Sequence, residues 1–245
     1  MKICIDPGHN YSGCDTGAEG YGLREQDITF KISDKLKRLL NLTEIPVIMT
    51  RKGFEENLGS STNDSLNERV NIANFCKCNL FVSIHCNSNK RKDARGTETL
   101  ISARGGEAEK LANKVNSRIV KKLGLVDRGV KVDNEYLGYN LKVLEKTQMP
   151  AILVEVAFIS NENDALMLKE HYDGFAEAIY EGICEYLDIE PTATQKKPLE
   201  TPVDILNALC RQIEINDYKA ALEAITKAKD ENNSLYWMLY KIVNK

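Results

Sequence analysis

The sequence lacks any apolar run of the roughly 20 residues that a membrane-spanning helix requires, so membrane insertion is not expected. It also lacks a recognisable export signal. The apolar run at residues 3–5 stops at Asp6-Pro7-Gly8, whereas a secretory signal needs a longer apolar segment and a small-residue cleavage site. We therefore expect a soluble protein that is made in the cytoplasm without a signal peptide.

An excess of positive charge is also missing. The chain of 245 residues carries 33 Lys and Arg against 36 Asp and Glu, which gives a formal net charge of −3. Proteins that bind nucleic acid usually carry a basic excess or a basic stripe, so nucleic acid is not an expected partner. Hydrophobic residues make up 42% of the chain, which is ordinary for a protein that buries a core.

The cysteines do not form a disulfide pattern. There are seven of them, an odd number that is scattered along the chain. Only Cys76 and Cys78 lie close together, and the single residue between them is shorter than the usual zinc-ribbon spacing. Free cysteine behaves as a small hydrophobic residue. We therefore expect these side chains to be reduced and to serve in packing.

Strand-like and helix-like segments alternate as far as residue 188. Strand-like runs cover residues 2–5, 46–49, 79–84, 97–102 and 151–154, and segments with helical periodicity lie between residues 28–40, 108–119 and 175–187. Ser65 and Glu68 have the spacing of a capping box, which predicts a helix from about residue 65 to residue 76. Such alternation predicts an α/β fold, with a mostly parallel twisted sheet flanked by helices.

The composition changes near residue 190. Three prolines among polar residues mark residues 190–202 as a linker between a domain at 1–189 and a small helical module at 203–245. The module has three short segments of helical periodicity, and its size is marginal for an independent core. We expect it to dock on a partner or to self-associate.

Three chemically reactive side chains stand where predicted strands end. His9 follows the first strand, His85 ends the run at 79–84, and Glu155 ends the run at 151–154. In open α/β sheets, ligands bind beyond the carboxyl ends of the strands. Two histidines and one carboxylate form a familiar zinc-ligand set that leaves a fourth position for water. The sequence therefore predicts a metal-dependent active site at this edge.

The choice of the metal-binding carboxylate stays open at this level, since the loop at 10–27 offers four acidic residues: Asp15, Glu19, Glu25 and Asp27. Each candidate also has a structural alternative. His9 and His85 could be a turn residue and a core residue, and Glu25 could complement the N-terminus of the following helix. Glu155 is different, because a carboxylate after four apolar residues is costly to bury unpaired. His171, beyond a predicted helix end, is expected at the surface.

Several short motifs occur together in an informative order. They are Asp6-Pro7-Gly8-His9, Glu25-Gln26-Asp27, Met49-Thr50-Arg51, Arg69 with Ala73-Asn74, Ser83-Ile84-His85-Cys86-Asn87, Gly96-Thr97-Glu98 and Pro150-Ala151-Ile152-Leu153-Val154-Glu155. In this order and spacing the sequence resembles the zinc-dependent N-acetylmuramoyl-L-alanine amidases of the Amidase_3 family. The resemblance covers residues 1–188.

The resemblance implies a role for each candidate. It makes His9, Glu25 and His85 the ligands of one Zn²⁺ ion and Glu155 the catalytic acid and base. It implies hydrolysis of the amide between the lactyl group of N-acetylmuramic acid and L-alanine, with bacterial peptidoglycan as partner. Asn87, Arg51 and Arg69 are candidates for substrate binding, and for the arginines a structural ion pair is the alternative.

Two positions depart from the family pattern. Ala157 stands where glycine is often found, and Glu145 stands where an arginine is common after Val-Leu. The second departure concerns the recognition of peptide carboxylates in the substrate.

Two other functions are compatible with the same residues: a zinc peptidase that cuts within the stem peptide, and a non-catalytic wall-binding protein. A wall amidase made without an export signal further resembles a phage or prophage endolysin, which acts on the wall after its release. A sporulation-linked lytic enzyme is the alternative setting.

Overall fold

The computed structural model describes residues 1–43 and 45–191 together with Thr226. Its strands are Ile3–Pro7 (β1), Glu19–Gly20 (β2), Leu23–Arg24 (β3), Val47–Met49 (β4), Leu80–Asn87 (β5), Thr97–Ile101 (β6), Asp127–Val132 (β7) and Ala151–Phe158 (β8). Its α-helices are Glu25–Leu40 (α1), Thr62–Phe75 (α2), Glu107–Leu123 (α3), Asp133–Leu137 (α4), Lys142–Glu145 (α5), Glu162–Glu170 (α6) and Tyr172–Leu187 (α7). The predicted helical module lies outside the described residues except for Thr226, as does the predicted linker beyond Pro191.

Six strands form one sheet in the order β4-β1-β5-β8-β6-β7. Neighbouring strands are parallel except β6 and β8, which are antiparallel. The predicted fold, a mostly parallel sheet flanked by helices, is therefore confirmed. From β1 the chain passes to β4 on one side and then returns to β5 on the other. The ends of β1 and β5 thus form a switch point, where open α/β sheets bind ligands.

Helices cover both faces of the sheet. On one side α1, α3 and α7 pack together, and their apolar faces are fully buried at Ile32, Leu36, Val115 and Ile179. On the other side α2 and α5 pack against a cluster that includes Phe81 of the sheet. In the part of the chain that the structure describes, no helix combines the length and hydrophobicity needed to cross a membrane.

Strand alternation decides which side chains face the α2 and α5 side. Successive side chains of a strand point to opposite faces, so Ser83, His85 and Asn87 of β5 share one face. Glu155 of β8 lies opposite His85 in the register, and Glu98 of β6 lies opposite Glu155. The sheet thus presents a row of polar side chains to one cavity, near the carboxyl ends of its parallel strands.

The predicted capping box at Ser65 is wrong. Helix α2 begins at Thr62, and Ser61 is its N-cap, accepting a hydrogen bond from the backbone N–H of Asp64. Ser65 lies inside the helix and is buried, where its hydroxyl donates to Asp15 over 2.6 Å. The side chain of Ser65, which the sequence suggested as a helix cap, therefore makes a tertiary contact instead.

The remaining expectations concern the other strands and helices, His171 and the cysteines. Periodicity missed the short strand β7, which has a mixed sequence at the sheet edge, and helix α6. His171 lies exposed between α6 and α7, as predicted. The six cysteines of the described region are free.

Candidate metal centre and active-site cavity

A cavity of about 690 Å³ opens beside the ends of β1, β5 and β8. Its polar wall contains His9, Glu25, His85, Asn87 and Glu155. Apolar side chains from β6, β8 and the segment around α4 and α5 line the remainder. The cavity therefore joins one polar cluster to an apolar surface that is large enough to hold part of a ligand.

His9 stands two residues beyond β1 in a left-handed backbone conformation, with a φ of 66°. Non-glycine residues adopt this conformation rarely, and it is often found at functional sites. The preceding Gly8 lets the loop approach His85, since a Cβ at position 8 would lie 2.5 Å from the His85 ring. The two imidazole rings consequently meet edge to face, with centroids 4.8 Å apart.

Glu25 is the first residue of α1, and its carboxylate faces away from the helix. Its Oε2 accepts a hydrogen bond from the N–H of Ala18, and its Oε1 accepts one from the N–H of Cys86, each over 2.9 Å. These contacts aim the carboxylate at the histidines. A role in complementing the N-terminus of α1 is therefore insufficient to explain Glu25, because its carboxylate oxygens accept hydrogen bonds from backbone donors outside α1.

The three side chains converge on one point. Glu25 Oε1 lies 3.1 Å from His9 Nε2 and 3.1 Å from His85 Nδ1, and all three donor atoms lie within 4.8 Å of one another. The group is able to hold a metal ion. Glu19 is exposed, while Asp27 faces Arg24 at 3.8 Å. Neither belongs to the group, so of the four acidic candidates the structure brings only Glu25 between the histidines.

The charges of this group favour a cation. Burial lowers the pKa of His9, but the carboxylates of Asp15 and Glu25 outweigh burial and raise it to about 10. Burial raises the pKa of Glu25, yet His85 and His9 outweigh burial and hold it well below its ordinary value. An environment that stabilises a proton between these side chains also stabilises a metal cation there, which supports the fit of the donor set to a metal.

Glu155 faces the same cavity without a partner. Its Oε2 is buried and has no hydrogen-bond partner among the described residues. Burial raises the pKa of Glu155 well above its ordinary value, the charges of Glu25 and Glu98 raise it further, and His9 opposes them. The raised pKa makes Glu155 a stronger base than an exposed carboxylate, and its protonated form can in turn donate a proton.

Asn87 is held in place by a neighbour that sequence reasoning had not singled out. Its Nδ2 donates to Glu98 Oε1 over 2.7 Å, and both side chains line the cavity. In the sequence, the motif Gly96-Thr97-Glu98 was the available indication that Glu98 belongs to the site. Only the register of β6 against β8 shows where Glu98 lies.

Arg69 lies behind the candidate metal centre and holds the loop that carries His9. It is 1% exposed, and its Nη1 donates to Asp6 Oδ1 and to the carbonyl of Pro7, each over 2.7 Å. Its Nη2 donates to the carbonyl of His9 over 2.8 Å. Arg69 therefore forms the buried ion pair that was the alternative to substrate binding, and it fixes the loop that carries His9.

Arg51 is fully buried and does not line the cavity. Its guanidinium donates to the carbonyls of Gln26 and Phe54 over 2.7 and 2.9 Å. These bonds tie the start of α1 to the loop after β4. The geometry favours a structural role over contact with a substrate.

We expect Asp6→Asn to destabilise the fold by about 3–5 kcal/mol, because it breaks the buried pair with Arg69 and leaves that charge only the more distant Asp15 carboxylate, 3.8 Å away. Asp6 is 1% exposed and also accepts hydrogen bonds from Thr50 and Ser83. Urea unfolding measures the loss. The control Asp34→Asn breaks an exposed pair with Arg38 and should cost at most about 0.5 kcal/mol. A similar small loss in Asp6→Asn would contradict the prediction.

The same substitution should change the acid sensitivity of the fold. Burial alone raises the pKa of Asp6, but Arg69, Thr50 and Ser83 together hold it below the ordinary 3.8. The stabilisation is thus complete above the unfolded-state pKa and is lost as the pH falls through the lower folded-state pKa. Asp6→Asn should flatten this acid part of the stability profile.

Asp15 faces the other nitrogen of His9. Its Oδ1 lies 3.6 Å from His9 Nδ1, while Nε2 of that ring faces Glu25. Carboxylates in this position orient the imidazole of a metal ligand, and their loss typically costs 10–100-fold in metal affinity. The sequence offered Asp15 as a candidate ligand, and the structure places it behind His9, outside the group that could hold a metal ion.

We therefore expect Asp15→Asn to weaken metal binding by about 10–100-fold, because the His9 ring loses its anionic partner. Competition against a chromophoric chelator measures the affinity. The exposed Asp173, which faces Lys35, provides the control Asp173→Asn. Equal affinities in the two variants would exclude the orienting role.

Comparison with known proteins agrees with this geometry. Residues 3–185 match the Amidase_3 family, described as N-acetylmuramoyl-L-alanine amidase. N-acetylmuramoyl-L-alanine amidase LytC of Bacillus subtilis (strain 168) is 35% identical over 188 residues, which are 75% of this chain and 35% of that protein. The endolysin of Bacillus phage SPP1 is 34% identical over 205 residues, which are 80% of this chain and 69% of that protein.

Solved structures show the same likeness. The catalytic domain of CwlV, an N-acetylmuramoyl-L-alanine amidase from Bacillus (Paenibacillus) polymyxa var. colistinus, superposes with a TM-score of 0.66 at 31% identity. The match covers 78% of this chain and 100% of that domain. The chain spans about a third of the length of LytC. Because residues 3–185 match the family, the chain belongs to the Amidase_3 family of N-acetylmuramoyl-L-alanine amidases.

Proposed function

We propose that the chain is a zinc-dependent peptidoglycan hydrolase that cleaves the amide between the lactyl group of N-acetylmuramic acid and L-alanine. The observation that carries the proposal is the convergence of His9, Glu25 and His85 beside Glu155 in one cavity. Membership of the amidase family supports the choice of bond.

The donor set fits zinc. Two imidazole nitrogens and one carboxylate oxygen are common ligands of catalytic zinc, with a fourth position for water or substrate. Zinc bonds of about 2.0–2.2 Å place tetrahedral donors roughly 3.3–3.6 Å apart, and Glu25 Oε1 lies 3.1 Å from each histidine nitrogen. When bound, zinc would polarise the scissile carbonyl and lower the pKa of a water molecule.

Glu155 moves the protons of the reaction. It accepts a proton from the attacking water, whose oxygen adds to the lactyl carbonyl carbon. It then donates that proton to the nitrogen of L-alanine as the C–N bond breaks. The products are the lactyl carboxylate and a free L-alanine amine. The raised pKa of Glu155 suits both steps, since a more basic carboxylate accepts a proton more readily and its protonated form can then return it.

Asn87 positions the substrate in this proposal. Its amide is oriented by Glu98 and lies on the strand that carries His85. The fixed amide would hold a polar group of the substrate beside the reacting bond.

Product analysis tests the proposed bond. Purified wall digested by the protein should release new N-terminal L-alanine and leave muramic acid with a free lactyl carboxyl. Cleavage deeper in the stem peptide would assign the zinc peptidase activity instead. Wall binding without any new amine would assign a non-catalytic wall-binding protein.

Lysis by a phage or prophage is the biological setting that we infer. The likeness to the SPP1 endolysin, over 69% of its length, supports it. Transcription should then rise on prophage induction. A rise confined to sporulation would assign the alternative, a sporulation-linked lytic enzyme.

The division into a catalytic domain at 1–189, a linker at 190–202 and a helical module at 203–245 is part of the proposal. Residues Met1–Thr192 form one compact unit by themselves, which supports a boundary near 190. Sedimentation of the full chain and of residues 1–190 tests self-association through the module: equal protomer numbers would discard it.

A further inference from the structure

A basic loop follows β5 next to the catalytic cavity. Residues 88–96 contain four cationic side chains, all exposed, and one acidic residue, Asp93. The cations are Lys90, Arg91, Lys92 and Arg95. The whole chain carries a net charge of −3, so this concentration of positive charge is local to one rim of the cavity.

The loop forms one wall of a second cavity, of about 440 Å³. Three arginines line it, Arg91 and Arg95 from the loop and Arg128 from β7, against the single carboxylate of Asp93. We call this second cavity the basic pocket. Asn89 lines both the basic pocket and the catalytic cavity, so the two cavities are neighbours.

Arg128 is fixed before any ligand arrives. Its Nε donates to Glu98 Oε2 over 2.7 Å, and its guanidinium stacks 4.8 Å above the ring of Phe158. The same Glu98 oxygen also accepts from Lys131 over 2.5 Å. One buried carboxylate thus holds two cations, which leaves an excess positive charge beside the basic pocket.

Arg95 is the free cation of the basic pocket. Among the described residues, no side chain or carbonyl accepts a hydrogen bond from its guanidinium. Arg91, in contrast, is already paired with Asp93 through bonds of 2.8 and 3.2 Å. A planar guanidinium binds a carboxylate through two parallel hydrogen bonds, so Arg95 is available for an anionic ligand.

We propose that the basic pocket binds a free carboxylate of the wall stem peptide, with Arg95 as the specificity-determining residue. The inference rests on the proposed function, because it takes the scissile amide to lie in the catalytic cavity. The stem peptide begins at that amide and carries carboxylates a few bonds away. Since the two cavities are adjacent at Asn89, a peptide whose scissile amide lies in the catalytic cavity has its carboxylates close to the basic pocket.

The test uses two synthetic fragments that differ in one group: the γ-methylamides of N-acetylmuramoyl-L-alanyl-D-glutamate and of N-acetylmuramoyl-L-alanyl-D-isoglutamine. The γ-amide removes the carboxylate that both fragments would otherwise share. The first has a free α-carboxylate and the second has an amide there. We expect the zinc-loaded full chain to show a KM about tenfold lower for the carboxylate, the effect of roughly one charge-assisted hydrogen bond. Arg95→Gln should reduce this preference to about twofold or less.

Arg104→Gln is the matched control. It removes one exposed arginine, paired with Glu109, from the loop after β6. Because β6 is antiparallel to β8, that loop lies at the opposite edge of the sheet. Arg104→Gln should keep the wild-type preference. An Arg95→Gln variant that keeps it as well would overturn the proposal.

Two further outcomes separate the alternatives. If the wild type cleaves neither fragment and releases no new N-terminal L-alanine from purified wall, the proposed function fails. The basic pocket is then tested by calorimetry of both fragments, where equal affinity for wild type and Arg95→Gln overturns it. If Arg95→Gln keeps the fragment preference but sediments less with walls that carry phosphate polymers, the pocket binds that polymer and the stem-peptide proposal is overturned.

Discussion

Glu155→Gln should lower kcat for wall hydrolysis by about 10²–10⁴-fold, the usual contribution of a positioned general acid and base. The amide keeps the shape of the carboxylate but cannot accept the proton of the attacking water. Zinc content should stay near one ion per chain, since Glu155 is not one of the three converging side chains that we propose as ligands. Release of amines from purified wall and metal analysis measure the two quantities.

Two results would contradict this role for Glu155. Normal lysis by Glu155→Gln would exclude it as the acid and base. Loss of zinc from the variant would make Glu155 part of the metal centre. Glu162→Gln, at the start of α6 beyond the same strand, is the matched control, and it should keep both the wild-type rate and the wild-type zinc content.

Glu25→Gln should weaken zinc binding by more than the 10–100-fold that is typical of losing an outer partner of a ligand. The substitution removes the negative charge between His9 and His85. It also turns an amide N–H₂ group toward a backbone donor, because Ala18 and Cys86 each donate to one carboxylate oxygen. Activity should fall in parallel with zinc content, and added zinc should restore it only in part.

Glu19→Gln is the control for Glu25. Both residues were candidates from the same loop, and Glu19 is exposed in β2. It should bind zinc as the wild type does. If Glu25→Gln also kept full zinc affinity, the carboxylate would serve only the start of α1, and the metal centre would need another ligand.

The fold class followed from the sequence because alternating buried strands and amphipathic helices admit few arrangements. The helix α1, for example, was marked by the spacing of Ile28, Ile32 and Leu36, all buried in the structure. Strand β7 has no such pattern, since its residues are mostly half-buried at an edge. The start of α2 was predicted wrongly because the side chain of Ser65 does not cap the helix. It contacts Asp15, some 50 positions earlier in the chain.

The sequence alone pointed to His9, His85 and Glu155, because each stands at the end of an apolar strand-like run, and parallel strands bring such ends together. In the structure β5 and β8 continue beyond these runs, so His85 and Glu155 lie inside the strands. Glu25 was chosen only through the family resemblance, and the structure supplies its physical reason in two backbone hydrogen bonds that aim it at the histidines. The burial of Arg69, the approach of Asp15 to His9 and the pairing of Glu98 with Arg128 depend on contacts between distant segments. Local periodicity carries no information about such contacts, so only the tertiary structure decided them.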